Sequence, residues 1–410
     1  MEPKTIAIIG AGARGAGFGD ICAALPQLAK VVAVAEPRDD CRQAFSAIHR
    51  VSPDRQFMTW RAFAAQPRMC DAIIIATMDQ DHVGPAVACL EKGYDVLLEK
   101  PMATTLADCQ AIEQAQRRSG RIVGVCHSLR YHKSFRMVKD LVAGGAIGRI
   151  VTVELIEQVA FWHQAHSFVR GNWGNQARST FMLLAKSCHD VDYLCYLIPE
   201  PCQRVSSFGS LSYFREENAP PGSALRCTDP CPVEPTCPYS AIKQYVDAAN
   251  PKGWPANVVS MDSSRAARLQ ALKTGPYGRC VWKCDNDVVD HQVVNFEYAG
   301  GITATFTMTA FTKAGGRRLV VHGTQGELAF DENTIRIQSF ADGSSKMIEP
   351  GAETGGHGGG DYRLTRDWLG ALQSRDDSAV VANAQESLRT HRVVFAAEQA
   401  RLEGRVVELN

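Results

Sequence analysis

A glycine-rich turn near the start of the chain has the spacing of a phosphate-binding site. Gly10, Gly12 and Gly15 form the pattern G-x-G-x-x-G between the apolar run IAII and a helix-like segment. The first glycine allows a tight turn, the second lets the backbone approach a pyrophosphate, and the third lets the helix pack closely on the strand. Ala13 and Arg14 stand at the N-terminal end of that helix, which attracts anionic phosphates.

An acidic residue after the second apolar run indicates which dinucleotide binds. Glu36 lies 21 positions beyond Gly15, where a carboxylate can accept hydrogen bonds from both ribose hydroxyls. It would repel a 2′-phosphate, so NAD is favoured over NADP. Arg38 is the opposing signal, because it could pair with a 2′-phosphate.

A lysine at the end of another apolar run could act on an alcohol. Glu99-Lys100-Pro101 follows the run Asp95–Leu98. Removing hydride from a secondary alcohol requires a base for the hydroxyl proton and positive charge beside the oxygen. Lys100, at the carboxyl end of a strand, can supply that charge next to a nicotinamide. The alternative is a surface lysine that pairs with Glu99.

Short apolar runs alternate with amphipathic segments through residues 1–126. The runs are rich in Val and Ile, as expected for strands buried on both faces of a parallel sheet; they are Thr5–Ile9, Val31–Ala35, Asp71–Ala76, Asp95–Leu98 and Ile122–Val125. This β-α-β order predicts an α/β doubly wound Rossmann domain. Residues 127–410 predict an α+β substrate and oligomerisation domain on a large, open, mostly antiparallel sheet, with a Cys-rich insertion near 218–286.

The sequence resembles the Gfo/Idh/MocA oxidoreductases. The likeness rests on the Glu-Lys-Pro motif after a strand, on HSLRYHKSF and GAIGRI, and on the helix that carries His189-Asp190-Val191-Asp192, so it covers most of the chain. It implies that Lys100 lies beneath the nicotinamide and contacts the substrate hydroxyl, and that the chain forms a homodimer or homotetramer. We assign further cofactor contacts to Thr77, Asp81, His82, Glu99 and Arg130, and a substrate contact to Tyr131.

The segment LLAKSCHDVD departs from the pattern of that family. Members commonly carry Asp-x3-His here, one helical turn apart. His189 fits the histidine, but Ala185 occupies the aspartate position. His189 is the candidate base, with a core histidine as the alternative. Lys186 is a further catalytic candidate, although one residue along a helix turns the side chain by about 100°.

An aromatic and basic stretch is the expected substrate wall. In VAFWHQAHSFVRGNWGNQ, predicted as a loop, Trp162 and Trp173 could stack on sugar faces, while His163 and Arg170 could bind hydroxyls or an anion. Packing between the domains is the equal alternative. His357 is added because it precedes a glycine run, which permits close approach to a ligand; Asp361 could simply cap the helix that follows.

The Cys-rich insertion suggests a structural metal. Cys227, Cys231 and Cys237 lie in a Pro-rich stretch, and Cys284 could supply a fourth thiolate to tetrahedral zinc. An iron–sulfur cluster, disulfides and packed free thiols are the alternatives. Cys280 is the fifth cysteine of the insertion, and nine further cysteines are scattered from Cys22 to Cys202.

The composition limits the classes of function. Lys and Arg number 44, as do Asp and Glu, so the formal net charge is zero. We expect no nucleic-acid or membrane partner, and the absence of signal-peptide features predicts a cytoplasmic enzyme. The leading interpretation is an NAD-dependent oxidoreductase of a sugar, glycoside or cyclitol. The alternatives are an NAD-requiring glycoside hydrolase that works by transient C3 oxidation and a non-enzymatic NAD-sensing regulator.

Overall fold

The first layer is a six-stranded parallel sheet. The structure is a computed structural model that describes residues 2–351, 353 and 355–409. The sheet has the order β3-β2-β1-β4-β5-β6, which is the Rossmann arrangement predicted from the apolar runs. Its strands are β1 Lys4–Ile9, β2 Ala29–Ala35, β3 Gln56–Phe57, β4 Ala72–Ile75, β5 Asp95–Leu98 and β6 Val123–Val125.

Helices cover both faces of this sheet because the strands are apolar on both sides. Ile6 and Ile8 pack against one helical layer, whereas Ala7 and Ile9 pack against the other. The helices of this part of the chain are α1 Ala13–Ala24, α2 Asp39–His49, α3 Trp60–Ala64, α4 Val83–Glu91, α5 Leu106–Ser119 and α6 Lys133–Ala143.

The second layer is a nine-stranded mixed sheet of order β14-β13-β12-β11-β7-β10-β9-β8-β15. The β7–β10 pair is parallel and the other neighbours are antiparallel. Its strands are β7 Ile150–Gln158, β8 Cys202–Ser210, β9 His291–Tyr298, β10 Thr303–Thr309, β11 Gly316–Gly323, β12 Gly326–Phe330, β13 Ile335–Ser339, β14 Ser345–Ile348 and β15 Val407–Glu408.

Two of the predicted substrate residues, Trp162 and His163, lie in a short helix of the second half. The prediction of a loop at 161–176 is wrong for most of its length, because Phe161–His163 is helical and Gln164–Arg170 continues as a π-helix. The predicted helix Thr180–Leu197 is broken near Lys186. The helices are α7 Phe161–His163, α8 Met182–Ala185, α9 Cys188–Leu197, α10 Ala256–Val259, α11 Arg265–Thr274, α12 Gly360–Ser374 and α13 Ala384–Glu403.

The last two helices return to the first domain. Leu364 and Trp368 of α12 pack in the core with Ile6, and Leu388 of α13 packs on the opposite face of the parallel sheet. The start of α12 therefore lies beside the glycine-rich turn, where Asp361 pairs with Arg14 at 2.7 Å. Across the described residues, each helix is too short or too polar to cross a bilayer.

Candidate active site

The glycine-rich turn has the close backbone contacts that a pyrophosphate cradle needs. Gly10 has φ +87°, and a Cβ there would lie 2.5 Å from the carbonyl oxygen of Ala76. A Cβ on Gly15 would lie 1.8 Å from the carbonyl oxygen of Gly10. Because α1 begins at Ala13, its first amide groups point toward the space above the turn. These residues fit a dinucleotide.

Glu36 is bound to the turn itself. Its buried carboxylate accepts hydrogen bonds from the Ala11 amide at 2.8 Å and from Arg38 Nε at 2.8 Å. Burial opposes ionisation, but the bonds from Arg38 and Ala11 prevail and lower the pKa of Glu36. The Arg38 side chain donates hydrogen bonds to the Glu36 carboxylate. This pairing explains how the sequence can carry both the acidic residue that favours NAD and the arginine that could favour NADP.

The Glu-Lys-Pro motif connects the turn to the second domain. Arg14 Nε donates to Glu99 Oε1 at 2.5 Å, and Glu99 Oε2 accepts from the Lys100 amide at 2.9 Å. Lys100 Nζ then donates to the carbonyl oxygen of Ala185 at 2.6 Å. The ammonium group therefore lies at the end of α8, one turn before His189.

Thr77, Asp81 and His82, which we assigned to the cofactor, contact the backbone of neighbouring loops. Thr77 Oγ1 donates to the carbonyl oxygen of Asp81 at 3.1 Å. His82 is fully buried, with Nδ1 2.7 Å from the carbonyl oxygen of Pro101 and Nε2 3.3 Å from that of Thr77. Their direct contacts in the structure are with the neighbouring backbone.

His189 is buried beside two other imidazoles. Neither ring nitrogen has a hydrogen-bond partner among the described residues, and the same holds for His127. The His189 ring centroid is 6.1 Å from that of His127 and 5.2 Å from that of His357. Burial, with Lys100 nearby, holds the pKa of His189 well below its usual value.

Lys186 belongs to a buried network of charges. Its Nζ lies 2.8 Å from Glu157, and Arg317 bridges Glu157 at 2.7 Å and Asp190 at 2.6 Å. Burial raises the pKa of Asp190 to about 6 despite the opposing effect of Arg317. Lys186 thus has a carboxylate partner, and the network fixes α9 to the sheet. Sequence reasoning missed Arg317, because nothing in its strand marks it as a partner of α9.

Trp162 and His163 form an aromatic wall with a residue from the insertion. The two rings stack at 5.8 Å, and Trp254 lies 5.4 Å from Trp162 and 4.8 Å from His163. Burial, together with Lys186 and neighbouring cations, lowers the pKa of His163 to about 2. Trp254 was not predicted, because nothing in the surrounding segment NPKGWPAN marks it as a partner of Trp162 and His163.

Three other assigned residues hold the framework in this structure. Arg130 is buried and donates to both carboxylate oxygens of Asp192 at 2.8 Å. Tyr131 is buried, and its hydroxyl accepts from the Ala382 amide at 3.4 Å. Trp173 Nε1 donates to Asp79 at 3.0 Å, across the domain junction.

Arg170 differs most from its predicted role. It is 1% exposed, and it donates to the carbonyl oxygens of Tyr239 at 2.6 Å and Arg279 at 2.7 Å. Its guanidinium therefore anchors the Cys-rich insertion and is unavailable to a substrate. The prediction of a substrate contact was based on charge alone, which does not distinguish these two uses.

The cysteines of the insertion do not form a metal site. Among the described residues, no group of three or more His, Cys, Asp and Glu side chains has the arrangement to hold a metal ion. Cys227, Cys231 and Cys237 line one small cavity with Cys280. Cys284 instead donates to the carbonyl oxygen of Cys280 at 3.2 Å. The structural zinc expected from the spacing is therefore not supported, and all these thiols are free.

Comparison with known proteins establishes the family. Residues 4–127 match the model for the Gfo/Idh/MocA oxidoreductase family, NAD-binding Rossmann fold, and residues 139–409 match its C-terminal alpha/beta domain. The chain belongs to the Gfo/Idh/MocA oxidoreductases, as its motifs indicated.

Relatives and solved structures agree with this assignment. The chain is 28% identical to a putative oxidoreductase, YteT, of Bacillus subtilis, over 72% of this chain and 71% of that protein. It is 29% identical to inositol 2-dehydrogenase 2 of Saccharopolyspora erythraea, over 31% of this chain and 35% of that protein. Levoglucosan dehydrogenase in complex with NADH has the same fold, with TM-score 0.72 and 16% identity over 100% of this chain and 99% of the other.

Proposed function

We propose that this protein is an NAD-dependent oxidoreductase that transfers hydride from a secondary hydroxyl of a sugar, glycoside or cyclitol. The observation that carries the proposal is the position of Lys100. Its ammonium lies between the strand end beside the glycine-rich turn and the helix that carries His189, 2.6 Å from the carbonyl oxygen of Ala185. When bound, the nicotinamide supplies the hydride acceptor.

Side chains of this protein supply charge stabilisation and substrate binding. Lys100 stabilises the negative charge that develops on the substrate oxygen, because an ammonium in a site sheltered from water acts more strongly than in solution. The rings of Trp162, His163 and Trp254 offer the apolar surface on which a sugar face stacks. Substrates named for relatives, inositol and levoglucosan, carry the ring hydroxyls that this arrangement suits.

Lys100→Ala tests the proposal. Wild-type protein is screened with NAD against myo-inositol, levoglucosan and common aldoses, and NADH is followed by absorbance. We expect the variant to bind NAD as the wild type does and to lose about 100-fold or more in kcat. Lys92→Ala is the control, because Lys92 is an exposed lysine whose Nζ contacts the Gln66 carbonyl. Full activity of Lys100→Ala would contradict the assignment.

A redox-neutral glycosidase is the second candidate. The observation that favours it is a pair of imidazoles, His189 and His357, with centroids 5.2 Å apart. Elimination from a transient C3 ketone requires a base for the C2 proton and an acid for the leaving group, so two proton carriers are useful. Cleavage of an aryl glycoside in D₂O distinguishes the candidates: deuterium at C2 without net NADH supports the glycosidase, and stoichiometric NADH supports the dehydrogenase.

A further inference from the structure

His357 and Asp361 form a hydrogen-bonded pair at the edge of the candidate site. His357 Nδ1 lies 3.1 Å from each carboxylate oxygen of Asp361. The carboxylate is 2% exposed and also accepts from Ser128 Oγ at 2.5 Å and from Arg14 at 2.7 Å. Burial opposes its ionisation, but His357 and Arg14 hold the pKa of Asp361 well below its usual range. The Asp361 carboxylate of this pair is therefore ionised and held in place.

The backbone presents this imidazole to the site. His357 has φ +49°, a left-handed conformation that is unusual for a residue with a side chain and is often retained at functional positions. The glycines after it allow close packing, since a Cβ on Gly360 would lie 2.5 Å from the carbonyl oxygen of Ser128. The His357 side chain is 34% exposed, and its ring centroid lies 5.2 Å from that of His189.

His357 makes its described hydrogen bonds through one ring nitrogen. Among the described residues, the His357 imidazole hydrogen-bonds through Nδ1 alone. A carboxylate at Nδ1 fixes that nitrogen as the proton donor and leaves Nε2 with its lone pair. The same geometry orients the base of nucleophile–histidine–carboxylate triads.

His189 lacks such support. Ala185 stands where a carboxylate would orient it, and its two ring nitrogens have no partner among the described groups. It is 2% exposed, so protonation would place an unpaired charge in the interior. The imidazole with a carboxylate partner and a path to solvent is His357.

We propose that His357 is the proton acceptor of the reaction and that Asp361 positions it. This inference rests on the proposed function. As the C–H bond of the substrate breaks, its electron pair leaves as hydride to the oxidised nicotinamide, and the O–H proton passes to His357 Nε2. A ketone and an imidazolium remain. Asp361 stays ionised and stabilises the imidazolium, and solvent removes the proton through the exposed edge of the ring.

The first test reads the tautomer without substrate or cofactor. In protein labelled with nitrogen-15 histidine, the His357 signals are assigned by their loss in His357→Ala. For the neutral ring of wild-type His357 we expect the proton on Nδ1, and we expect Asp361→Asn to give a mixture or the Nε2–H tautomer. A wild-type Nε2–H tautomer, or a tautomer indifferent to Asp361→Asn, overturns the proposal.

The second test uses turnover of a substrate found in the screen. We expect His357→Ala to lower kcat by about 100-fold or more while NAD binding is kept, and added imidazole to restore part of the rate. Asp361→Asn should lower kcat with little change in KM. His322→Ala is the matched control. His322 also lies near two carboxylates and its side chain is 36% exposed, but it stands at the opposite end of β11 from Arg317, which contacts α9.

The outcomes separate this inference from the function on which it rests. If kcat is normal in His357→Ala while activity is lost in Lys100→Ala, the assignment of His357 as proton acceptor is overturned and the proposed oxidoreductase function stands. No turnover by wild type, together with the expected Nδ1–H tautomer, overturns the proposed function and supports the histidine–aspartate pair. A rate lost in His357→Ala but not raised by imidazole shows a structural role and also overturns the proposal.

Discussion

Arg14 is the residue through which the cofactor turn reaches the rest of the site. Its guanidinium donates to Glu99 at 2.5 Å and to Asp361 at 2.7 Å. Glu99 holds the amide of Lys100, and Asp361 holds the imidazole of His357. Arg14, in the first turn of α1, therefore stabilises both the carboxylate that holds Lys100 and the carboxylate that holds His357. This fixes the position of the glycine-rich turn relative to these two residues.

We expect Glu36 to determine the choice between NAD and NADP, and Glu36→Ser to change it. Loss of the carboxylate removes repulsion toward a 2′-phosphate and releases Arg38, whose side chain is 57% exposed. We expect the ratio of Kd for NADP to Kd for NAD to fall about tenfold or more, as one charged hydrogen bond is worth about 1.5–3 kcal/mol. Fluorescence titration measures both constants. Asp39→Ser is the control, and an unchanged ratio in Glu36→Ser would refute the role.

The break between α8 and α9 shows how elements create the site. Apolar periodicity predicts one helix over Thr180–Leu197, but the chain turns at Lys186. The last carbonyl groups of a helix lack intrahelical partners, and a cation there is favourable. Lys100 supplies that cation at Ala185, and Glu157 binds Lys186. The contacts come from residues distant in sequence, which is why periodicity alone could not show the break.

Local pattern therefore predicts the parallel sheet and its glycine-rich turn better than the side-chain contacts between distant parts of the chain. The spacing from Gly10 to Glu36 lies within one β-α-β unit. The apolar runs mark the strands, and the parallel sheet follows from their order. The two-residue strand β3 is too short to leave a pattern. Asp361 reads as a helix cap from sequence, yet its partners are Arg14 and Ser128. Such pairings form only when the fold is complete.

The Cys-rich insertion depends on Arg170, and Arg170→Met should loosen it. The substitution leaves the carbonyl oxygens of Tyr239 and Arg279 without their donor in a buried place, at a cost of about 1–3 kcal/mol each. We expect lower stability in urea and faster reaction of Cys227 and Cys237 with a thiol reagent. Arg178→Met is the control, since Arg178 pairs with Asp285 at the surface. Equal thiol reactivity in the two variants would argue against the anchor.

At the scale of the whole molecule, the two domains share buried polar contacts as well as a core. The Val125 amide donates to the carbonyl oxygen of Ala382, so the chain before α13 continues the edge of the parallel sheet. On α13, His391 accepts at Nε2 from the Met102 amide at 2.9 Å, directly after the Glu-Lys-Pro motif. Its Nδ1 donates to the carbonyl oxygen of Ser387 at 2.7 Å. The C-terminal helix thus fixes the loop that carries Lys100.

The burial of His391 makes the predicted stability depend on pH. Burial lowers the pKa of His391 to about 4 from 6.5. Below about pH 6.5 the unfolded chain binds a proton that the folded chain excludes, so stability falls as the pH drops toward 4. The buried His127, with its pKa lowered by burial to about 3, acts in the same direction. Asp190 opposes them, because its raised pKa lets the folded state take up a proton near pH 6.

His391→Gln isolates one of these groups. The amide can keep both hydrogen bonds but does not titrate, so the variant should lose less stability on acidification. Between about pH 7.5 and pH 5, we expect the wild type to lose about 2 kcal/mol more than His391→Gln in its free energy of unfolding by urea. His322→Ala, at a half-exposed site, should follow the wild type. Parallel pH profiles for wild type and His391→Gln would show that this histidine binds its proton equally well in the folded and unfolded states, and would contradict the prediction.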